Sequence, residues 1–162
     1  MIEIRPADSV DRQMLLDHVV AAWRTEFVVG HGEAIYPARL PGFVALADGK
    51  IVGHITYRGD GERCEVTSIE ATPQRAGTGT MLLEAVIEAA GDAGYRTLWL
   101  TTTNDNLDAI RFYQRRGFRF CALHPGPVDR ARETLKPEIP RVGSYGIPMR
   151  DELELELQLT SP

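Results

Sequence analysis

The stretch EATPQRAGTGTMLLEAVIEAA, residues 70–90, decides the fold. It begins at the end of a strand-like run, RCEVTSIEA, which the Thr72-Pro73 turn closes. Its middle, Gln74-Arg75-Ala76-Gly77-Thr78-Gly79, sets two glycines two residues apart. A helical pattern over 79–90 follows at once and is closed by Gly91 and Gly94. The first N–H groups of such a helix lack intrahelical partners, and the helix dipole is positive there. A glycine turn at that point lets the backbone approach a phosphate closely. The alternative is a plain strand-to-helix turn in which the glycines only relieve crowding. Two familiar phosphate loops do not fit. A Walker-type loop ends in Gly-Lys-Ser/Thr, and this chain has Gly79-Thr80-Met81. The dinucleotide fingerprint needs a third glycine, and Leu82 stands in its place.

Working outward, strand 63–71, helix 79–90 and strand 96–102 form a βαβ unit, which demands a parallel pair with a right-handed crossover. Upstream, Ile2 and Ile4 alternate with Glu3 and Arg5 as a short strand. A helix carrying Leu15, Leu16, Val19, Val20 and Trp23 follows, with Asp8, Ser9 or Asp11 as its cap. Residues 43–58 read as an antiparallel hairpin turning at Asp48-Gly49. The sheet is therefore mixed. Downstream come a short helix within 104–117 that Gly117 stops, a strand over 118–123, and a last strand. There Leu153, Leu155, Leu157 and Leu159 alternate with Glu152, Glu154, Glu156 and Gln158. The leucine face should pack on the core, while the acidic face should be solvated and offers a surface for a homodimer contact.

The chain has 162 residues, 43% hydrophobic and 25% charged, which suits a single globular domain over 1–162. A net charge of -5 gives no basic footprint, so nucleic acid is not an expected partner. No apolar run reaches the ~18 residues of a membrane span, and the charged N-terminus has no apolar signal core. Two cysteines, Cys64 and Cys121, make no disulfide framework; both are expected to be buried thiols, in a cytoplasmic protein. Trp23 and Trp99 read as core residues.

The pattern Gln/Arg-x-x-Gly-x-Gly/Ala at the start of a helix after the fourth strand resembles the acetyl-CoA pyrophosphate loop of the GNAT family of N-acetyltransferases. Gln74, Gly77 and Gly79 match it position by position, and Met81 to Ala85 continue as that family's helix does. Asn106-Leu107-Asp108-Ala109, followed by Tyr113 and Gly117-Phe118, resembles the family's second signature. The likeness covers residues 2–122 and resumes at the last strand. It implies an α/β (α+β) fold: a mixed, mostly antiparallel sheet of six to seven strands, a central parallel βαβ unit, and helices on both faces. It implies acetyl-CoA as donor, a primary amine as acceptor, direct transfer in a ternary complex, and no metal.

Amine acetylation from a thioester needs a held donor, a neutral amine, a stabilised oxyanion and a proton for the leaving thiolate. By resemblance, backbone N–H groups of 74–80 hold the pyrophosphate. The side chains of Gln74 and Arg75 assist, Thr78 and Thr80 add hydroxyls, and Ala76 belongs to the same loop. Asn106 and Tyr113 stand seven residues apart, about 20° out of line on one helical face, so one ligand meets both. In the family the matching asparagine contacts the pantetheine or its neighbouring backbone, and the matching tyrosine lies near the cofactor sulfur as general acid. Asn106 also reads as a helix cap and Tyr113 as a core aromatic. The free N–H groups of Ile69 and Ala71 would meet the pantetheine amides and the thioester oxygen. Position 70, usually apolar in the family, is Glu here.

The base is less sharply indicated. Strand alternation puts Glu65, Thr67, Ile69 and Ala71 on one face and Val66, Ser68 and Glu70 on the other. Glu65 is the first choice and Glu70 the second. The acceptor would approach through 28–42, containing His31, Glu33 and Tyr36, and through 124–152, containing His124, Tyr145 and five basic residues. His31 and His124 are candidate acceptor contacts. The basic residues Arg130, Arg132, Lys136, Arg141 and Arg150 read as a solvated set, or as contacts for an acidic group. A small-molecule amine is favoured because no peptide groove is legible. Acetylation of a protein or of aminoacyl-tRNA, and a non-catalytic acyl-CoA-binding module, are the alternatives. The acidic charge argues against RNA.

Overall fold

The structure is a computed structural model and describes residues 1–74 and 76–160. Its elements in chain order are β1 (Glu3–Pro6), α1 (Arg12–Trp23), β2 (Val28–Gly30), β3 (Glu33–Ile35), β4 (Gly42–Ala47), β5 (Lys50–Asp60), β6 (Arg63–Ala71), α2 (Thr78–Asp92), β7 (Thr97–Thr103), α3 (Leu107–Gln114), β8 (Arg119–His124), α4 (Pro127–Thr134) and β9 (Glu152–Gln158). Seven strands follow the order β1-β4-β5-β6-β7-β9-β8, mostly antiparallel with one parallel pair. The neighbours β6 and β7 are joined through α2, as the βαβ reading expects. The chain divides into two compact units: Met1–Val28 with Ile35–Leu98 and the end from Leu159, and Val29–Ala34 with Trp99–Gln158.

In the first unit, Asp48 (φ 49) and Gly49 (φ 76) make the expected tight turn between β4 and β5. Of the three candidate caps for α1, Asp11 does the work, accepting from the N–H groups of Gln13 at 2.8 Å and Met14 at 3.2 Å. Leu15 and Val19 of α1 pack with Ala7 and Val44, and Trp23 lies partly buried against them. α2 covers the other face: a Cβ at Gly53 would stand 3.1 Å from Leu82 Cδ1, so glycine sets the distance of closest approach. Leu82, Leu83, Val86 and Ala90 are buried along α2. Each buried Leu or Val contributes roughly 1.5–3 kcal/mol of transfer free energy.

The β5–β6 ladder departs from simple alternation. Thr56 faces Ser68 but Tyr57 faces Val66, so Thr67 is an extra residue, a bulge. The hydroxyls of Thr67 and Ser68 both meet Thr56 Oγ1, at 2.7 and 2.6 Å. The consequence is a correction: Glu65 opposes Arg58, Ser68 opposes Thr56 and Glu70 opposes His54, all on the α1 side. Ile69 and Ala71 oppose Ile55 and Gly53 on the α2 side. The expected grouping of Glu65 with Ile69 fails because the bulge resets the parity of everything before it.

In the second unit, β8 and β9 pair with a bulge at Cys121; Leu123 opposes Leu153, and Phe120 opposes Leu155. His124, Ala122 and Arg119 oppose Glu152, Glu154 and Glu156. The stretch expected to be irregular contains a hairpin, β2–β3, turned by His31 (φ 55) and Gly32 (φ 75). Cys64 is buried as expected, whereas Cys121 is exposed, on an edge strand whose Phe120 and Leu123 are exposed as well.

The long segment before β9 is tied down. Arg132, only 9% exposed, donates to the carbonyls of Ile139 (2.9 Å), Pro140 (2.8 Å) and Met149 (3.0 Å) and to Asp129 Oδ1 (2.8 Å). It is a structural staple, neither a solvated cation nor a ligand contact. Asn104 donates to the Pro148 carbonyl and accepts from the N–H groups of Arg150 and Asp151. Asp105 accepts from Ser144 N–H, and the Tyr145 hydroxyl donates to Asp108.

Candidate active site

The glycine turn forms as the sequence reading expects. Gly77 adopts φ 84, open space surrounds the position of a Cβ, and Gly77 caps α2 without a side-chain hydrogen bond. Gly77 has no side chain with which to satisfy the first N–H groups of α2. Thr78 is 1% exposed, and its hydroxyl is enclosed with no hydrogen-bond partner. A helix N-terminus begun by a glycine, beside a hydroxyl that has no partner among the described residues, fits an anionic group such as a pyrophosphate. Gln74 and Ala76 are exposed on the same loop, and Gly79 and Thr80 are half-buried at the first turn of α2. Arg75 lies outside the described residues.

Ile69 and Ala71 end β6 just before this loop, both half-buried. Glu65 is 5% exposed, and Arg58 Nε donates to its Oε2 at 2.9 Å. Glu70 is partly buried; desolvation raises its pKa, and the hydrogen bond from Thr72 Oγ1 at 3.1 Å offsets part of the rise. Between them runs a polar chain: His54 Nε2 lies 3.1 Å from Ser68 Oγ, which lies 2.6 Å from Thr56 Oγ1. His54 is fully buried with its ring 5.2 Å from that of His18, edge to face. Burial first, and His18 second, depress the His54 pKa to about 3.

The second unit holds the remaining predicted residues. Asn106 is exposed and caps α3, accepting from Ala109 N–H at 3.2 Å. That bond uses its oxygen and leaves the amide NH2 for a ligand. Tyr113 is 5% exposed, packed between the rings of Phe112 and Phe118, and burial raises the pKa of its hydroxyl. Tyr113 is thus a core aromatic. A raised pKa keeps the hydroxyl protonated at any working pH. His124 lies 3.0 Å from Glu154 Oε2, a carboxylate pair rather than an open imidazole. His31 is exposed, its ring 5.1 Å from the Trp99 ring. Trp99 is half-buried, so it borders the surface instead of filling the core.

One residue escaped the sequence reading. Glu152, on the face of β9 expected to be solvated, is 5% exposed. The cover comes from the β2–β3 hairpin, whose His31 N–H donates to Glu152 Oε2 at 3.4 Å. Nothing in the local alternation of β9 marks this position. Among the described residues, no group of three or more His, Cys, Asp or Glu is arranged to hold a metal ion, and no helix is long and apolar enough to cross a membrane.

The chain is similar to several known proteins. It is 41% identical over 154 residues to YdhI of Bacillus subtilis (strain 168), an uncharacterized protein, covering 94% of this chain and 96% of that one. It is 34% identical over 107 residues to the streptothricin acetyltransferase of Streptomyces lavendulae, covering 60% of this chain and 57% of that one. A Bacillus subtilis acetyltransferase crystallised in complex with CoA has the same fold, with a TM-score of 0.70 and 20% identity, covering 99% of this chain and 100% of that one. The model of the Acetyltransferase (GNAT) family matches residues 10–118, the span that carries the glycine turn, Asn106 and Tyr113, and this chain belongs to that family of acetyltransferases.

Proposed function

We propose that the protein moves an acetyl group from acetyl-CoA to a primary amine of a small molecule, by direct transfer in a ternary complex. The observation that carries this reading is the glycine-capped N-terminus of α2, with Gly77 in the left-handed region and the Thr78 hydroxyl enclosed and without a partner among the described residues. Residues 74, 76 to 80 and the N–H groups of Ile69 and Ala71 would hold the donor, and Arg75, which lies outside the described residues, would assist them by its place in the sequence motif. Asn106 would hold its pantetheine arm through the free amide NH2. When bound, acetyl-CoA supplies the activated acetyl group as a thioester.

The chain's own residues manage the protons. Tyr113, kept protonated by burial, donates toward the position of the leaving sulfur. An amine with a pKa near 10 must lose a proton before it attacks, which calls for a base. Glu70 suits that role better than Glu65. A carboxylate whose pKa is raised holds a proton closer to working pH, whereas Glu65 is committed to Arg58. The small-molecule reading draws support from the streptothricin acetyltransferase similarity. Thermal unfolding with and without millimolar acetyl-CoA tests the donor, and free-thiol release across an amine panel tests the acceptor. Stabilisation by acetyl-CoA and release with small amines are expected. Failure to stabilise would remove the donor site.

A further inference from the structure

The sheet order ends in two edge strands, β1 and β8, and they are finished differently. An edge strand presents a row of N–H and C=O groups that invites a further strand. β1 is four residues long, ends in Pro6 and offers the charges of Glu3 and Arg5. Proline and charge are usual devices for blunting an edge. β8 has β9 on one side and, among the described residues, no strand on the other. It contains no proline, and its Phe120 and Leu123 are 50% and 61% exposed. Phe120 opposes Leu155 and Leu123 opposes Leu153, so both lie on the leucine face of the ladder. Strand residues three apart normally point to opposite faces; the bulge at Cys121 brings these two onto one. An apolar strip therefore runs beside an edge that nothing blunts.

What fits this edge is another copy of itself. In order, Arg119, Phe120, Cys121, Ala122, Leu123 and His124 run basic, apolar, small, small, apolar, basic. The succession of classes is the same from either end. Two such strands, antiparallel about a two-fold axis between Cys121 and Ala122, set Phe120 of each copy against Leu123 of the other. A two-fold contact uses one patch twice, so a self-matching strand is what it requires. The basic ends meet each other in that register, yet each already faces a glutamate of its own copy. Arg119 opposes Glu156, His124 opposes Glu152, and Glu154 Oε2 lies 3.0 Å from His124 Nε2. The contact is also closed: once paired, neither β8 has an edge left for a third chain.

We propose that β8 pairs with β8 of a second copy, antiparallel about Cys121 and Ala122, in a two-fold dimer sealed by Phe120 and Leu123. The surface is the strand edge, not the acidic face of β9 that the sequence offered for a homodimer contact, and it is independent of the acetyl-transfer reading. Sedimentation of the full chain from sub-micromolar to hundreds of micromolar should shift from the mass of one chain to that of two. Leu123→Lys sets a charge into the contact and should weaken the dimer by about tenfold or more. Because Leu123 is exposed, the variant should melt with the unmodified chain at sub-micromolar concentration, where both are monomers. Met14→Lys changes an exposed apolar side chain on α1, away from the edge, and should leave the dimer intact. Hydrogen exchange of amides within 119–124 should slow by about tenfold as the dimer forms. A chain that stays monomeric throughout overturns the proposal and leaves the edge to a foreign strand. A dimer that survives Leu123→Lys, is lost in Met14→Lys, or leaves exchange within 119–124 unchanged overturns it as well.

Discussion

Arg58 Nε stands 2.9 Å from Glu65 Oε2, directly across the ladder between β5 and β6. The pair divides two carboxylates that lie on one side of one strand into different trades. Glu65→Gln should lower stability by about 1–2 kcal/mol, because Arg58 is partly exposed and regains water. Its turnover per folded molecule should change little. Glu70→Gln should instead cut kcat by about 100-fold with acetyl-CoA binding intact. The acid limb of the rate should sit above the ordinary carboxylate range, since the base must be deprotonated and its pKa is raised. Steady-state kinetics across pH on both variants decides between them; a silent Glu70→Gln would return the role to Glu65.

Tyr113→Phe keeps the ring between Phe112 and Phe118 and removes only the hydroxyl. Stability should hold within about 1 kcal/mol. kcat should fall about 100-fold, with the acetyl-CoA KM little changed. Unaltered turnover would make this residue a core aromatic and nothing more.

His54 makes folding sensitive to acid. Its folded pKa, about 3, lies below the ordinary value of 6.5, so the unfolded chain binds more protons in between. Its contribution is fully present above about pH 6.5 and is lost as pH falls toward 3. At pH 5 the loss amounts to about 2 kcal/mol. The depressed pKa of His18 acts in the same direction. Urea unfolding between pH 7.5 and 5 should show this slope, and His54→Gln should flatten it. An unchanged slope in that variant would place the acid sensitivity elsewhere.

Arg132→Met removes four hydrogen bonds from one buried guanidinium and leaves three carbonyls to find new donors. The cost should be about 3 kcal/mol. Limited proteolysis should then cut within 135–150 first, while the unmodified chain resists there. Equal resistance of the two would show that Asn104 and Asp105 suffice to hold the segment.

What the sequence revealed depended on range. The turns at Asp48-Gly49 and His31-Gly32 share positive φ at both central residues. Only the first was legible, because Asp-Gly is a strong turn pair set between long alternating strands. The second joins strands of three residues, too short to show a period. The glycine turn and the pair Asn106 and Tyr113 were legible because each is a local pattern. The face of Glu65 was not, since no glycine in RCEVTSIEA betrays the bulge at Thr67. Glu152 was hidden for another reason: its cover lies 121 positions away in the chain.

Thr67 is the one residue of β6 that has no place of its own opposite β5. Removing it would leave Val66 facing Tyr57 and Ser68 facing Thr56, so every cross-strand partner survives its loss. What would vanish is the 2.7 Å contact of its hydroxyl with Thr56 Oγ1, together with the bend and extra twist that a supernumerary residue gives a strand. At this position the chain spends a residue on curvature, and the side-chain bond that goes with it is the one to Thr56.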